Sequence, residues 1–213
     1  LLCFSSQALS AEERPRAREA GLVVGIFPTG RLNAITDVAG VRVGHHTKIE
    51  GDDIRTGVTA IIPAPGNLYT HPVPAWVHVG NGYGKLIGET QIREFGEIET
   101  PILLTCTLCV WSAANALKEW VYEQPGMGEH TINPVVGETN DGRVNNMWAD
   151  PIGRDEVFAA LAAASDGPGE TPGSRGAPRE RSTSTATASA QRDRDHRKRS
   201  IPVLRGEGVT GFP

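Results

Sequence analysis

NAITDVAGVRVGHHT, residues 33–47, packs a turn, an alternating run and two adjacent histidines into one short stretch. Within it GVRVG (40–44) alternates apolar and polar residues between glycines, which is how a half-buried strand reads. On this reading Gly40 and Gly44 bound the strand, and His45 and His46 mark where the chain leaves the sheet. Were the strand to run on, the two rings would point to opposite faces and could not chelate one metal together. No spaced HxxxH pair occurs, and His71, His78 and His130 stand alone. No metal and no cofactor is expected.

Outward from this stretch, strands and helices alternate. GVTAII (57–62) is continuously apolar up to Pro63 and suits an interior strand. AWVHV (75–79) alternates and reads as another strand, stopped by NGYG. Residues 87–95 read as a short helix, 101–105 as an apolar strand, and 134–136 as a short strand leading into the turn-rich GETNDG. Ala113, Ala116, Leu117, Trp120 and Val121 recur at helical spacing over 112–123, before Pro125-Gly126. An amphipathic helix over 155–164 closes a mixed α/β layered domain.

The chain divides by composition. Residues 1–20 are a leader in which LLCFSSQALSA, followed by EERPRARE, reads either as the remnant of a secretory signal or as an arbitrary upstream fragment. The first reading places the protein in the periplasm or outside the cell, the second in the cytoplasm. Residues 21–165 are globular in character. From 166 to 200 there is no Val, Ile, Leu, Met, Phe, Trp, Tyr or Cys, so the tail over 166–213 is expected to be disordered. Its basic cluster RDRDHRKR interleaves acids and lacks aromatics, and the net charge of the chain is -4, so nucleic acid is not expected as a partner. Neither is a membrane, since no apolar run approaches a span.

Two features could carry chemistry. Cys106 and Cys109 in TCTLCVW are too far apart to bond if the segment is extended, whereas a turn there would allow a redox pair. A thiol oxidoreductase is one alternative, and two buried small residues at a strand end the plainer reading. The loops NGYGKLIGET (81–90) and GETNDG (137–142) set Asn81, Glu138, Asn140 and Asp141 at the ends of apolar strands, where α/β domains place binding sites. They read equally as tight turns, and a non-enzymatic binding module could use the same loops.

LNAITDVAGVRVGHHT, RTGVTAIIP, NGYGKLIG, ETPILLTCT and NPVVGETNDG, in this order and spacing, resemble the DmpA-type aminopeptidases. These are the L-aminopeptidase/D-amidase/D-esterases and their β-aminopeptidase relatives, and the likeness covers roughly residues 16–168. The resemblance implies an α/β fold, a four-layer αββα sandwich similar to N-terminal-nucleophile hydrolases of the DmpA/ornithine acetyltransferase type, present here incompletely. It implies a precursor that cleaves itself at a Gly-Ser bond, the new N-terminal Ser attacking peptides, amides or esters through an acyl-enzyme and an oxyanion hole. It implies Glu138 beside the substrate's free amino group, a β chain of the same precursor as partner, and assembly as a homo-oligomer.

The chain also departs from that pattern. The Gly-rich region, the oxyanion Asn and the Gly-Ser nucleophile segment find no counterpart after Pro168, and Ser174, Ser182, Ser184, Ser189 and Ser200 lie in no matching context. The expectation is therefore an α-chain portion, inactive alone, with no catalytic residue of its own and a tail that reads as frameshifted. An open sheet face and open edges would make it poorly stable. Cys106, Cys109 and Trp111 replace an amide, a hydroxyl and a glycine; Lys85 stands where an acid is common, and Arg143 where an aromatic often follows the turn.

Overall fold

In chain order the elements are β1 (Arg42–Glu50), β2 (Ile54–Ile62), β3 (Val73–Pro74), β4 (Leu86–Ile87) and α1 (Glu89–Phe95). There follow β5 (Glu97–Ile98), β6 (Ile102–Cys106), α2 (Val110–Tyr122), β7 (Val135–Thr139) and α3 (Arg154–Ala162). This is a computed structural model, and it describes residues 18–168 except Glu19 and Val24. The expectations for the signal remnant and for the tail beyond Pro168 lie outside the described residues.

Five strands form one sheet in the order β1-β2-β6-β7-β4, and β3 pairs with β5 in a separate two-stranded ribbon. β2 runs antiparallel to both its neighbours, β1 and β6, whereas β6 and β7 run parallel, with Ile102 opposite Val135 and Cys106 opposite Thr139. A parallel neighbour needs a crossover, and α2 supplies it.

The register of β1 corrects the reading of the opening stretch. The strand does not end at Gly44: it stays paired with β2 to Glu50, with Gly44 opposite Ala60, His45 opposite Thr59 and His46 opposite Val58. Gly44 lies inside the strand because α3 crosses there. A side chain at that position would drive into the carbonyl oxygen of Ala160 and come within 2.6 Å of the Ala164 backbone nitrogen. The histidines consequently face opposite sides of the sheet, and the His45 ring pairs across the strands with the Thr59 hydroxyl at 2.8 Å.

AWVHV (75–79) is also corrected. Only Val73 and Pro74 pair, with Ile98 and Glu97. Ala75 and Val77 still pack against Ile92, Ile98 and Val135, while Trp76 is exposed. The alternation reports which side meets the apolar cluster. It supplies no strand partner beyond Ala75, whose N–H bonds to the Gly96 carbonyl at 2.8 Å.

The core lies between the sheet and helices α2 and α3. Val58, Ala60 and Ile62 of β2, Leu103 of β6 and Val136 of β7 meet Val110, Ala113, Ala116, Leu117 and Val121 of α2 and Val157, Ala160 and Leu161 of α3. Each large aliphatic side chain buried here contributes about 1.5–3 kcal/mol. The opposite face is covered at one end by α1 and β5, through Ile92 and Ile98 against Val135, Leu86 and Ile102. Elsewhere on that face Val43, Ile61 and Leu104 are half-buried and Ile49 is exposed.

Lys48 of β1 and Glu156 of α3 fasten helix to sheet at 2.7 Å. Glu156 also accepts the Gly153 N–H at 2.9 Å, closing the first turn of α3. Burial pushes the Glu156 carboxyl up, but the hydrogen bonds from Lys48 and from the backbone of Gly153 and Glu156 outweigh it, and the group sits below its ordinary value. The bond to Glu156 outweighs desolvation at Lys48 and raises its ammonium. A depressed acid stabilises the fold above its unfolded pKa and loses that contribution as pH falls through the folded one; a raised base does so below its unfolded pKa, losing it as pH rises. Glu156→Gln is therefore expected to lower stability by about 1 kcal/mol at pH 7. The difference from wild type should close as urea titrations are repeated toward pH 3, and a constant difference across that range would contradict the assignment.

Candidate functional site

The parallel strands β6 and β7 both end beside the first turn of α2, and polar side chains gather there. Thr105 of β6 lies opposite Glu138 of β7, and Lys85, just before β4, accepts the Glu138 N–H at its carbonyl at 3.0 Å. Thr107, one residue past β6, donates its hydroxyl to Glu138 Oε2 in a short hydrogen bond. Lys85 Nζ reaches the same carboxylate oxygen at 2.8 Å and Thr107 Oγ1 at 3.2 Å. The Glu138 side chain is 11% exposed and that of Lys85 26%, so the carboxylate is largely buried and the ammonium less so. A side chain at Gly84 would begin 3.6 Å from Glu138 Oε1 and 3.5 Å from the Asn81 carbonyl. Glycine there puts no side chain against the second carboxylate oxygen.

Asp141 anchors this arrangement from below. It is 2% exposed, accepts the Thr56 hydroxyl at 2.8 Å and receives the Thr107 N–H at 3.4 Å. Its carbonyl accepts the N–H groups of Val144 and Asn145. Asn145 in turn accepts the Arg55 N–H at 3.0 Å, fixing the turn against β2. Asn81 and Asn140 sit at exposed turns, where Asn81 Oδ1 accepts the Tyr83 N–H at 3.0 Å and Asn140 Oδ1 the Gly142 N–H at 3.3 Å. Of the four residues singled out in the sequence, Glu138 and Asp141 are thus joined through Thr107, while the two asparagine side chains cap their own turns. GETNDG is also less of a loop than its composition suggests, since Gly137, Glu138 and Thr139 belong to β7.

Cys106 and Cys109 form a disulfide, their Cα atoms 5.1 Å apart. The chain does turn there, and Cys109 N–H bonds to Cys106 carbonyl at 3.1 Å. Both are buried at the end of β6, at 2% and 0% exposure, which is the plainer reading of the pair, and the two sulfurs are bonded as well. Burial also tells against the thiol-oxidoreductase alternative, because exchange needs an attackable sulfur. Thr107 lies inside the bridged loop, which is what holds it against Glu138. Thr107 and Thr56 are the site residues that sequence reasoning missed. Thr107 could have been found as the first residue beyond a strand with a parallel neighbour, where α/β sheets place ligands.

Among the described residues no group of three or more His, Cys, Asp or Glu is placed to hold a metal ion, and no helix is long and apolar enough to cross a membrane. Ser112 donates to Asp150 in a short hydrogen bond at the exposed start of α2, and Ser165 pairs through its backbone with Val43. A separate cavity of about 250 Å³ lies at the other end of the sheet, between Arg42, Leu68, Glu99 and Trp120, away from the Glu138 cluster.

Comparison with known proteins places the chain among aminopeptidases. The chain is 40% identical over 177 residues to the β-peptidyl aminopeptidase BapA of Sphingosinicella xenopeptidilytica, covering 78% of this chain and 44% of that protein. A solved β-aminopeptidase from a Burkholderia species superposes with TM-score 0.67 at 44% identity, over 72% of this chain and 44% of that one. The L-aminopeptidase D-Ala-esterase/amidase of Ochrobactrum anthropi, described as a serine aminopeptidase with a variant of the Ntn hydrolase fold, superposes with TM-score 0.63 at 34% identity. It is matched over 74% of this chain and 46% of its own. The chain thus spans less than half the length of these relatives, and its mixed α/β sheet is of the Ntn-hydrolase kind. Peptidase family S58 matches residues 33–184, and the chain belongs to that family.

Proposed function

We propose that this chain carries the amine-recognising part of a serine aminopeptidase, with Glu138 as the acceptor of the substrate's N-terminal ammonium. One observation carries the reading. A largely buried carboxylate has one oxygen held by Thr107 and Lys85, while its other oxygen lies beside Gly84, which puts no side chain against it. A fixed carboxylate in such a place favours a cationic free amine over a blocked one, because a charge-assisted hydrogen bond in a desolvated site is about twice as strong as a neutral one. Asp141, through Thr107, positions the acceptor.

The names of the relatives support peptides with a free N-terminus as substrates. Turnover belongs to the whole protein, in which a serine nucleophile from a self-cleaved β chain attacks the scissile carbonyl. The half-exposed face formed by Val43, Ile61 and Leu104, with Ile49 beside it, gives that β chain an apolar surface to cover, and assembly of several such units follows from the same resemblance. The product of the full-length gene is expected to release p-nitroaniline from L-alanine p-nitroanilide. N-acetyl-L-alanine p-nitroanilide should react at least about 10-fold more slowly in kcat/KM, as loss of one charged hydrogen bond dictates. Equal rates on the two substrates would refute the reading, and the 213-residue chain alone is expected to turn over neither.

A further inference from the structure

We propose that Lys85 makes this site selective for a first residue bearing an acidic side chain, an inference that rests on the reading of Glu138 as amine acceptor. Lys85 Nζ is 2.8 Å from Glu138 Oε2 and 3.2 Å from the Thr107 hydroxyl. The site therefore holds one negative and one positive charge side by side. A plain N-terminal ammonium entering it meets its partner carboxylate and a like charge at once. Two such cations about 4 Å apart repel by roughly 1 kcal/mol even when fully solvated, and by more where water is excluded.

A first residue that carries a carboxylate as well as its ammonium is complementary to both charges. Its ammonium pairs with Glu138 and its carboxylate with Lys85. The lysine is free to follow such a ligand. Its side chain is 26% exposed, and the exposed ring of Tyr83 lies 5.8 Å from Nζ, offering a cation–π resting place when Glu138 is given over to the substrate. Glu138 meanwhile keeps the Thr107 hydroxyl, which Asp141 and the Cys106–Cys109 loop hold in place whether or not Lys85 is paired.

The test is the ratio of two affinities, measured by NMR titration of the 213-residue chain at neutral pH. The ligands are L-alaninamide, a net cation, and L-aspartic acid α-amide, a zwitterion of zero net charge. Wild type is expected to bind the aspartyl amide about fivefold more tightly, the yield of one partly exposed ion pair. Lys85→Met keeps the apolar stem and removes the charge, and it should reverse the order, tightening alaninamide and weakening aspartyl amide. Lys85→Arg should restore the wild-type order, and Lys85→Gln should behave as Lys85→Met does, which no general loss of structure would produce. A wild-type preference for alaninamide, or a ratio that Lys85→Met leaves unmoved, overturns the proposal. Glu138→Gln separates the two claims. If it weakens both ligands while the Lys85 variants leave the ratio unchanged, Glu138 keeps its role and Lys85 loses this one. If it binds both ligands as wild type does, both readings fall.

Discussion

Gly44→Val should prevent this chain from reaching its folded state. Gly44 is the point where α3 lies directly on β1, with the Ala160 carbonyl oxygen and Ala164 nitrogen in the space a side chain would take. These are backbone atoms within and just past a helix whose other side packs on α2, so they cannot rotate away as a flexible side chain could. Relief requires α3 to lift off the sheet. That would separate Val157, Ala160 and Leu161 from the core and stretch the 2.7 Å Lys48–Glu156 pair. Overpacking at such a contact costs about 1–3 kcal/mol where neighbours can yield, and here the yielding element is a whole helix, so the cost should exceed that range. Gly80 is the control: nothing lies within 4 Å of where its side chain would begin, so Gly80→Ala should stay within about 0.5 kcal/mol of wild type. Circular dichroism melts distinguish the cases, a cooperative transition for Gly80→Ala and none for Gly44→Val. Superimposable melts for Gly44→Val and wild type would contradict the packing described.

The same glycine shows what the sequence could and could not convey. Periodicity placed β2, β6, α1, α2 and α3 within a few residues, because each buries one face and burial imprints a period. At Gly44 the period-two pattern is interrupted by a residue with no side chain, and the interruption looks like an end. The reason for it, a helix backbone arriving from more than 110 positions away, leaves no local trace. AWVHV erred the other way: its alternation is real, but it faces a cluster rather than a neighbouring strand. At the site, Glu138 and Asp141 were legible as carboxylates at a strand end. The link between them was not, because Thr107 stands 31 positions from Glu138, and only the parallel register of β6 and β7 brings it across. The pairing of Cys106 with Cys109 depended in the same way on a turn that composition alone left open.

Glu138→Gln carries the second large expectation. Glutamine keeps the shape of the side chain and can still accept the Thr107 hydroxyl, so the fold should be little changed. What it removes is the charge. Lys85 then lacks its partner 2.8 Å away and stands as an unbalanced cation beside the place where an ammonium must enter, adding repulsion to the lost attraction. A charged hydrogen bond contributes about 1.5–3 kcal/mol, so free-amine affinity should fall about 10- to 100-fold, while a ligand with a blocked amine should be unaffected. The most direct measurement is a titration of the wild-type chain and Glu138→Gln with L-alaninamide and N-acetyl-L-alaninamide, followed at the Thr107 and Gly84 amides by NMR. Wild type should bind the free amine well above the acetylated ligand and Glu138→Gln should not discriminate between them; equal discrimination by the two proteins would show that the amine is recognised elsewhere.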